Sequence, residues 1–132
     1  MKTYLSALLL VALTFATGCG GSGRVEPKKV AVTGTVTVDG QPLPDGMVYF
    51  KDIAAGISDS AEVKNGEFSG QAEAGKRRVE ILAYKTEVTQ MGDTKTESKV
   101  NTLPAKYNTD STLSEEVKAD GANSYKFDVS SR

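Results

Sequence analysis

The sequence predicts a single antiparallel β-sandwich of about seven short strands, which follows an export signal and a flexible tether. Three observations support this fold class. Apolar and polar residues alternate in several short segments, and glycine, proline and asparagine separate these segments at nearly regular intervals. No segment has the apolar stripe of an amphipathic helix. Of the 132 residues, those that follow residue 18 are enough for one hydrophobic core and too few for two.

The N-terminal residues 1–18 are predicted to be a signal peptide that is cleaved off. A positive charge is followed by an apolar stretch over residues 5–15 and by small residues before Cys19. This stretch is shorter than the roughly 20 apolar residues of a transmembrane helix. Residues 19–29 begin with glycine and serine after the cysteine and are predicted to form a flexible tether. The folded domain is therefore expected over residues 30–132.

The first strand is predicted over residues 30–38. Its valines occupy alternate positions on one face: Val30, Val32, Val36 and Val38. Gly34 is in phase with them, which indicates a bulge or a close contact with another part of the chain. The strand ends at the turn signal Asp39-Gly40, and two prolines exclude regular strand or helix over residues 41–46.

The later strands follow the same alternation. They are predicted over residues 47–51, 60–64, 67–71, 76–84 and 125–129. Asn65-Gly66 is the dipeptide that best tolerates the positive φ angles of a two-residue hairpin. The predicted core is Val36, Val38, Val48, Phe50, Val63, Phe68, Val79, Ile81, Phe127 and Val129.

Two polar segments are interpreted separately. Lys76-Arg77-Arg78 alternates in direction along a strand, which favours a solvated edge that discourages sheet aggregation over an anion site. Lys85–Thr102 is rich in threonine, glutamate and lysine, and it is predicted to be a solvated loop or a weak edge hairpin. The alternative for Lys85–Thr102 is a recognition surface, because long segments of this kind are often functional.

Cys19 is the only cysteine in the chain, and its surroundings resemble a bacterial lipoprotein signal. In that family a small residue precedes a cysteine whose thiol is acylated and whose amine becomes the new N-terminus, and Gly18 matches this small residue. Ala16-Thr17-Gly18 also suits ordinary signal peptidase, which leaves a secreted protein. Lipidation is favoured because an exported thiol without a disulfide partner is reactive. Through this lipid the protein is expected on a bacterial membrane, outer or cytoplasmic.

The composition argues against most catalytic chemistry. Histidine is absent, which removes the usual general base near neutral pH and the commonest metal ligand. The net charge of −1 provides no basic field for nucleic acid. The aspartates that are candidates for calcium are not closely spaced in one loop; they are Asp45, Asp52, Asp59 and Asp110. We therefore expect no enzyme activity, no metal and no cofactor.

The order of several segments resembles the carboxypeptidase regulatory-like, or transthyretin-like, Greek-key sandwich. These segments are VTVDGQPLPDGMVYF over residues 36–50, NGEF over residues 65–68, and Gly75 before VEI over residues 79–81. LPAKYN over residues 103–108 and the segments around Thr112-Leu113 and 115–117 resemble the small lipoprotein version that is abundant in planctomycete bacteria. The resemblance implies a non-enzymatic module. Its enzyme relatives, the 5-hydroxyisourate hydrolases, depend on histidines that this chain lacks.

The expected function is that of a structural or protein-interaction module of the cell envelope. If there is a partner, Lys85–Thr102 and the neighbouring Lys106, Tyr107 and Asn108 are the candidate binding residues. The alternative is a surface lipoprotein that binds carbohydrate or a small ligand, with tyrosines that the fold brings together. A resemblance to collagen-adhesin repeats suggests an isopeptide bond from Lys28, Lys29, Asn123 and Glu80, but these are expected to be solvated surface residues.

Overall fold

The computed structural model describes residues 27–132, and this part of the chain folds into nine β-strands and one short 3-10 helix. The all-β fold class is thereby confirmed. The strands are β1 (Lys29–Val38), β2 (Gln41–Pro42), β3 (Asp45–Asp52), β4 (Ile57–Lys64), β5 (Glu67–Glu73), β6 (Gly75–Met91), β7 (Thr94–Asn101), β8 (Ser114–Val117) and β9 (Ser124–Val129), and the 3-10 helix is Ala105–Tyr107.

The strands form two layers. In the first layer β1 lies between β9 and β5, and β2 extends the β5 side. In the second layer β3 lies between β4 and β6, and the far edge of β6 carries β8 and β7. The layers are joined where β4 and β5 pair only next to their turn, at Val63–Phe68 and Lys64–Glu67. Beyond that point β4 and β5 diverge, which produces a β-sandwich.

The core lies between the two layers and contains the predicted residues except Val38, which is only partly buried beside the turn after β1. Further buried residues are Val32, Leu43, Ala61, Ala72, Ala83, Leu103 and Val117. Aromatic rings bridge the layers: the Phe50 ring is 6.3 Å from that of Phe68 and 5.6 Å from that of Tyr125. Such tilted pairs add to the stability gained from apolar burial.

Both predicted turns are present as two-residue hairpins. Asn65 and Gly66 have φ angles of 51° and 82°, and Asp39 and Gly40 have φ angles of 51° and 80°. Positive φ at both central residues is the geometry that matches the twist of the flanking strands. The exclusion of strand over residues 41–46 was wrong, because β2 pairs with β1 and β3 begins at Asp45. Pro42 is tolerated because a two-residue strand at an edge can place it where no main-chain donor is needed.

The contact predicted at Gly34 is confirmed. A Cβ atom at this position would lie 2.2 Å from the Tyr125 carbonyl oxygen and 2.6 Å from Cζ of Phe68. Gly34 lies opposite Tyr125 in the pairing of β1 with β9. These two strands run parallel, whereas every other strand pair within residues 27–132 is antiparallel. The absence of a side chain therefore allows the last strand to lie against the first, over the Phe68 ring.

The prediction of a solvated edge at Lys76-Arg77-Arg78 was wrong. β8 pairs with this end of β6, with Lys76 opposite Glu116 and Arg78 opposite Ser114. Arg77 is buried, and its guanidinium donates to the carbonyls of Lys76 and Ala74 at 3.0 and 2.8 Å. The sequence of β8 is too polar to predict a strand, so its cover over this edge was missed.

Candidate interaction surfaces

The hairpin of β6 and β7 extends beyond the sandwich. β3 accompanies β6 only as far as Ala83, and beyond Tyr84 β6 pairs with β7 alone among the strands of residues 27–132. Every residue of 85–101 is exposed. We call residues 85–101 the arm. The sequence predicted a solvated loop or a weak edge hairpin here. The structure shows the edge hairpin, and it is longer and more regular than expected.

The arm carries apolar side chains that the rest of the described chain leaves exposed. Met91 is 80% exposed at its tip, Val88 is 58% exposed and Val100 is 39% exposed. A two-stranded hairpin is marginally stable in water unless a third strand or another surface packs against it. An exposed arm with apolar side chains is therefore a candidate for contact with another molecule.

The base of the arm is fixed by one side chain. The Asn101 Oδ1 atom accepts hydrogen bonds from the backbone N–H of Ala83 and of Leu103, each at 3.1 Å. The Thr102 backbone N–H donates to the Ala83 carbonyl at 2.8 Å. These bonds tie the end of β7 to β6 where the arm leaves the sandwich. The arm therefore continues in the direction of β6.

A second surface lies on the outer face of the second layer, where two tyrosines come together. Tyr49 of β3 and Tyr84 of β6 are half-buried, with Met47 opposite Leu82 between them. Burial raises the pKa of the Tyr84 phenol, and the neighbouring Tyr49 hydroxyl raises it further. The fold therefore gathers two of the dispersed tyrosines into one apolar patch.

Lysines flank the two tyrosine rings. Lys51 Nζ lies 5.0 Å from the centroid of the Tyr49 ring, and Lys99 Nζ lies 5.6 Å from that of Tyr84. These distances are within the range of cation–π attraction. Lys99 also pairs with Asp45 at 2.7 Å, so this face joins the base of the arm to the sandwich.

Carboxylates balance the charge of this face. Asp45 accepts hydrogen bonds from Lys64 and Lys99, which lower the pKa of its carboxyl group. Burial alone would raise the pKa of Glu80, but hydrogen bonds from Lys51 and Arg78 outweigh it, and the pKa is lowered. Both carboxylates are thus charged at neutral pH, and each holds cations in place beside the tyrosines.

Of the candidate binding residues, Lys106 and Tyr107 lie in the 3-10 helix and Asn108 follows it. Lys106 donates to the Arg132 carbonyl at 2.7 Å, and the Tyr107 hydroxyl accepts the Ser130 N–H at 3.2 Å. Asn108 is buried and donates to the Pro104 carbonyl at 3.0 Å. The bonds of Lys106 and Tyr107 hold residues 130–132 against the 3-10 helix, and Lys106 itself is exposed. Ligand binding at these three residues stays a prediction.

Two of the residues considered for an isopeptide bond are buried, contrary to the expectation that all were solvated. Asn123 donates to the Lys118 carbonyl at 2.9 Å and its Oδ1 accepts the Lys118 N–H at 2.8 Å. Glu80 is buried beside Lys51 and Arg78, and Lys29 pairs with Asp59. Because Asn123 bonds to backbone groups and Lys29 to a carboxylate, the structure does not bring these residues together.

The proposed lipidation residue Cys19 lies outside the described residues. Over residues 27–132 there is no helix of sufficient length and apolar content to span a bilayer. The same part of the chain contains no group of three or more carboxylate, cysteine or histidine side chains placed to hold a metal ion.

The sequence matches no family model, and it matches no curated protein. Among solved structures, the chain is similar to a DUF3823 family protein from Parabacteroides merdae, with 18% sequence identity and a TM-score of 0.42. The similarity covers 79% of this chain and 47% of that protein, so this chain spans about half of its length.

Proposed function

We propose that this chain is a lipid-anchored, non-enzymatic protein of the bacterial cell envelope and that its sandwich presents an interaction surface. The exposed arm of residues 85–101 carries the proposal. No other part of residues 27–132 covers this hairpin, and an ordered, uncovered hairpin is typical of a segment that another molecule contacts. The tether, which was predicted over residues 19–29 and ends where β1 begins at Lys29, would hold the domain near the membrane while leaving the arm accessible.

The anchor in this proposal is Cys19. Its support is the apolar leader, the small residues before the cysteine and the absence of any other cysteine. Two or three acyl chains give stable membrane attachment, whereas one chain gives only weak attachment. The two-residue hairpin at Asn65-Gly66, one of the segments that carry the resemblance, supports the finer proposal that the sandwich is of the carboxypeptidase regulatory-like kind.

The first experiment is the intact mass of the full chain extracted from membranes of its host. We expect a mass that begins at Cys19 and includes acyl chains. A mass that begins at Cys19 without lipid, found in soluble material, would overturn the anchor.

The interaction role is tested by photo-crosslinking in the same membranes. A photoreactive residue replaces Thr89 in the arm, and the matched control replaces Gln71 on the outer face of the first layer, which is also exposed. We expect crosslinked products from position 89 in excess of those from position 71. Equal or absent products from position 89 would contradict an interaction role for the arm.

A second candidate function is binding of a carbohydrate or small ligand. The observation that favours it is the convergence of Tyr49 and Tyr84 on one half-buried face, because aromatic rings with nearby polar groups suit sugars. A glycan array should show binding that Tyr49→Ala and Tyr84→Ala abolish and that Thr35→Ala, on the opposite outer face, leaves unchanged. An array without any binding would count against this candidate.

A further inference from the structure

The outer edge of β7 has main-chain groups without a neighbouring strand within residues 27–132. The bond from the Thr102 N–H to the Ala83 carbonyl sets the alternation along β6 and β7. In an antiparallel ladder, successive residues point their N–H and C=O groups to opposite sides. Even-numbered residues of β7 therefore point these groups at β6, and the odd-numbered residues point them outward. The outward-pointing residues are Lys95, Glu97 and Lys99.

These outward-pointing residues carry alternating charges, which makes the edge complementary to itself. If two copies pair antiparallel with Thr96 on the twofold axis, Lys95 lies opposite Glu97 of the second copy. Symmetry doubles this pair, and opposite charges directly across a sheet are stabilising. Thr96 then faces Thr96, with no charge at the axis.

Neighbouring registers are less complementary. An axis at Glu97 places this carboxylate against its own copy and Lys95 against Lys99. An axis at Lys95 places this ammonium group against its own copy. Like charges directly opposite each other destabilise a sheet, which disfavours the axes at Glu97 and Lys95. An axis at Ser98 pairs Glu97 with Lys99, but Lys99 already pairs with Asp45, so the Thr96 register is favoured.

Intramolecular contacts leave the two central charges available. Within residues 27–132, neither Lys95 nor Glu97 forms an ion pair, although Lys99 pairs with Asp45. Lys95 lies opposite Gln90, and Glu97 lies opposite Val88, so neither has an opposite charge across the hairpin. A free arm is a two-stranded ribbon of marginal stability, whereas two paired arms form a four-stranded sheet.

We propose that the arm is a self-association element, in which the β7 edges of two copies pair antiparallel about Thr96. This inference deepens the proposed function and rests on its premise that the arm is a contact surface. The partner that it names is a second copy of this chain, anchored in the same membrane and therefore present at high local concentration.

The register is tested with single cysteines in the full chain in host membranes. Because Thr96 points its main-chain groups at β6, the two Thr96 residues would form a non-hydrogen-bonded pair. The Cα atoms of such a pair are about 4.5 Å apart, which allows a disulfide. Thr96→Cys should therefore give a covalent dimer under mild oxidation, above the background of the unmodified chain with Cys19. The matched control is Ser98→Cys on the same strand and face. In this register the two cysteines introduced at position 98 are offset by about 14 Å and should not crosslink.

Charge reversal tests the complementarity in the Thr96→Cys background. Lys95→Glu converts two attractive pairs into two repulsive pairs, and we expect the initial rate of disulfide formation to fall about tenfold. Glu97→Lys should have a similar effect, and the double variant of Lys95→Glu with Glu97→Lys should restore the rate. Because the cross-hairpin neighbours of both positions are uncharged, the arm itself should be little affected.

Each outcome bears on the proposal. A dimer fraction of Thr96→Cys no greater than that of the unmodified chain would overturn the proposal. A dimer fraction of Ser98→Cys greater than that of Thr96→Cys would also overturn it. A double variant that remains as slow as the single variants would overturn the charge register. If self-association fails while Thr89 still crosslinks to other proteins, the proposed function stands without it.

Discussion

At the scale of single residues, Gly34 has the strictest steric requirement. A Cβ atom there would overlap the Tyr125 carbonyl and the Phe68 ring. We expect Gly34→Ala to lower the free energy of unfolding by about 3 kcal/mol, because backbone and a packed ring must both move. Thr35→Ala, the exposed neighbour, should change it by less than about 0.5 kcal/mol. Urea denaturation measures both, and equal stability of the two variants would show that β9 is not packed as described.

The ionisation of Glu80 makes the free energy of unfolding depend on pH. Its pKa is lowered from the ordinary value of 4.5 in the folded state, so the charged carboxylate stabilises the fold above that pH. As the pH falls through the folded-state pKa, the carboxylate is protonated and this stabilisation is lost. We expect Glu80→Gln to cost about 1–2 kcal/mol at pH 7, and we expect the difference from the unmodified chain to shrink below pH 4.5.

The matched control for Glu80 is Glu62→Gln. Glu62 pairs with Lys64 at 3.0 Å but is 58% exposed, whereas the Glu80 side chain is 8% exposed. Exposed ion pairs contribute little to stability, so Glu62→Gln should hardly change the free energy of unfolding at any pH between 7 and 3. Chemical denaturation from pH 7 to pH 3 makes the comparison, and a difference for Glu80→Gln that stays constant over that range would refute the role of its ionisation.

At the scale of elements, the arm should be separable from the sandwich. Lys85 and Val100 are opposite each other in the ladder, so Asn-Gly can replace residues 86–99 and join them as a two-residue turn. Because all of the removed residues are exposed, we expect the free energy of unfolding to change by less than about 1 kcal/mol. Asn101→Ala, which removes the bonds at the base of the arm, should cost about 1–2 kcal/mol. Thermal denaturation compares them, and a larger loss from the excision would mean that the arm supports the core.

The sequence predicted those elements that its local chemistry determines. Asn65-Gly66 and the alternating valines of β1 have one favourable local structure each, and both were confirmed. The arm was only partly predictable, because a solvated strand buries neither face and so shows no alternation of apolar residues. β8 was missed for the same reason. The burial of Arg77 could not be predicted, since it depends on β8, a segment distant in sequence, covering this edge of β6.

The tyrosine face illustrates the same limit for a candidate site. Tyr49 and Tyr84 are separated along the chain, and they come together only because β3 and β6 pair with Gly46 opposite Ala83. Strand pairing of this kind is a property of the whole fold. Asn108, in contrast, was a candidate from sequence, but its buried amide bonds to backbone carbonyls.

At the scale of the whole molecule, the sandwich is completed by the pairing of its first long strand, β1, with its last strand, β9. β9 pairs with β1 over residues that are far apart in sequence, and the Tyr125 and Phe127 rings lie against Phe50 and Phe68. Pairing of this kind closes a long loop, which costs conformational entropy that the packing of β9 must offset. The core therefore depends on the last strand to complete both a layer and an aromatic cluster.

Two truncations separate this closure from the contacts of the last residues. Removal of residues 130–132 breaks the bonds from Ser131 to Asp39 and from Ser130 to Tyr107, and we expect it to cost about 1–2 kcal/mol. Removal of residues 124–132 also deletes β9 and with it the buried Phe127 and Val129. Each large buried side chain contributes several kcal/mol, against about 5–15 kcal/mol for a whole domain. We therefore expect the longer truncation to abolish cooperative unfolding in calorimetry, while the shorter one retains it. A cooperative transition without β9 would mean that the remaining strands form a complete core.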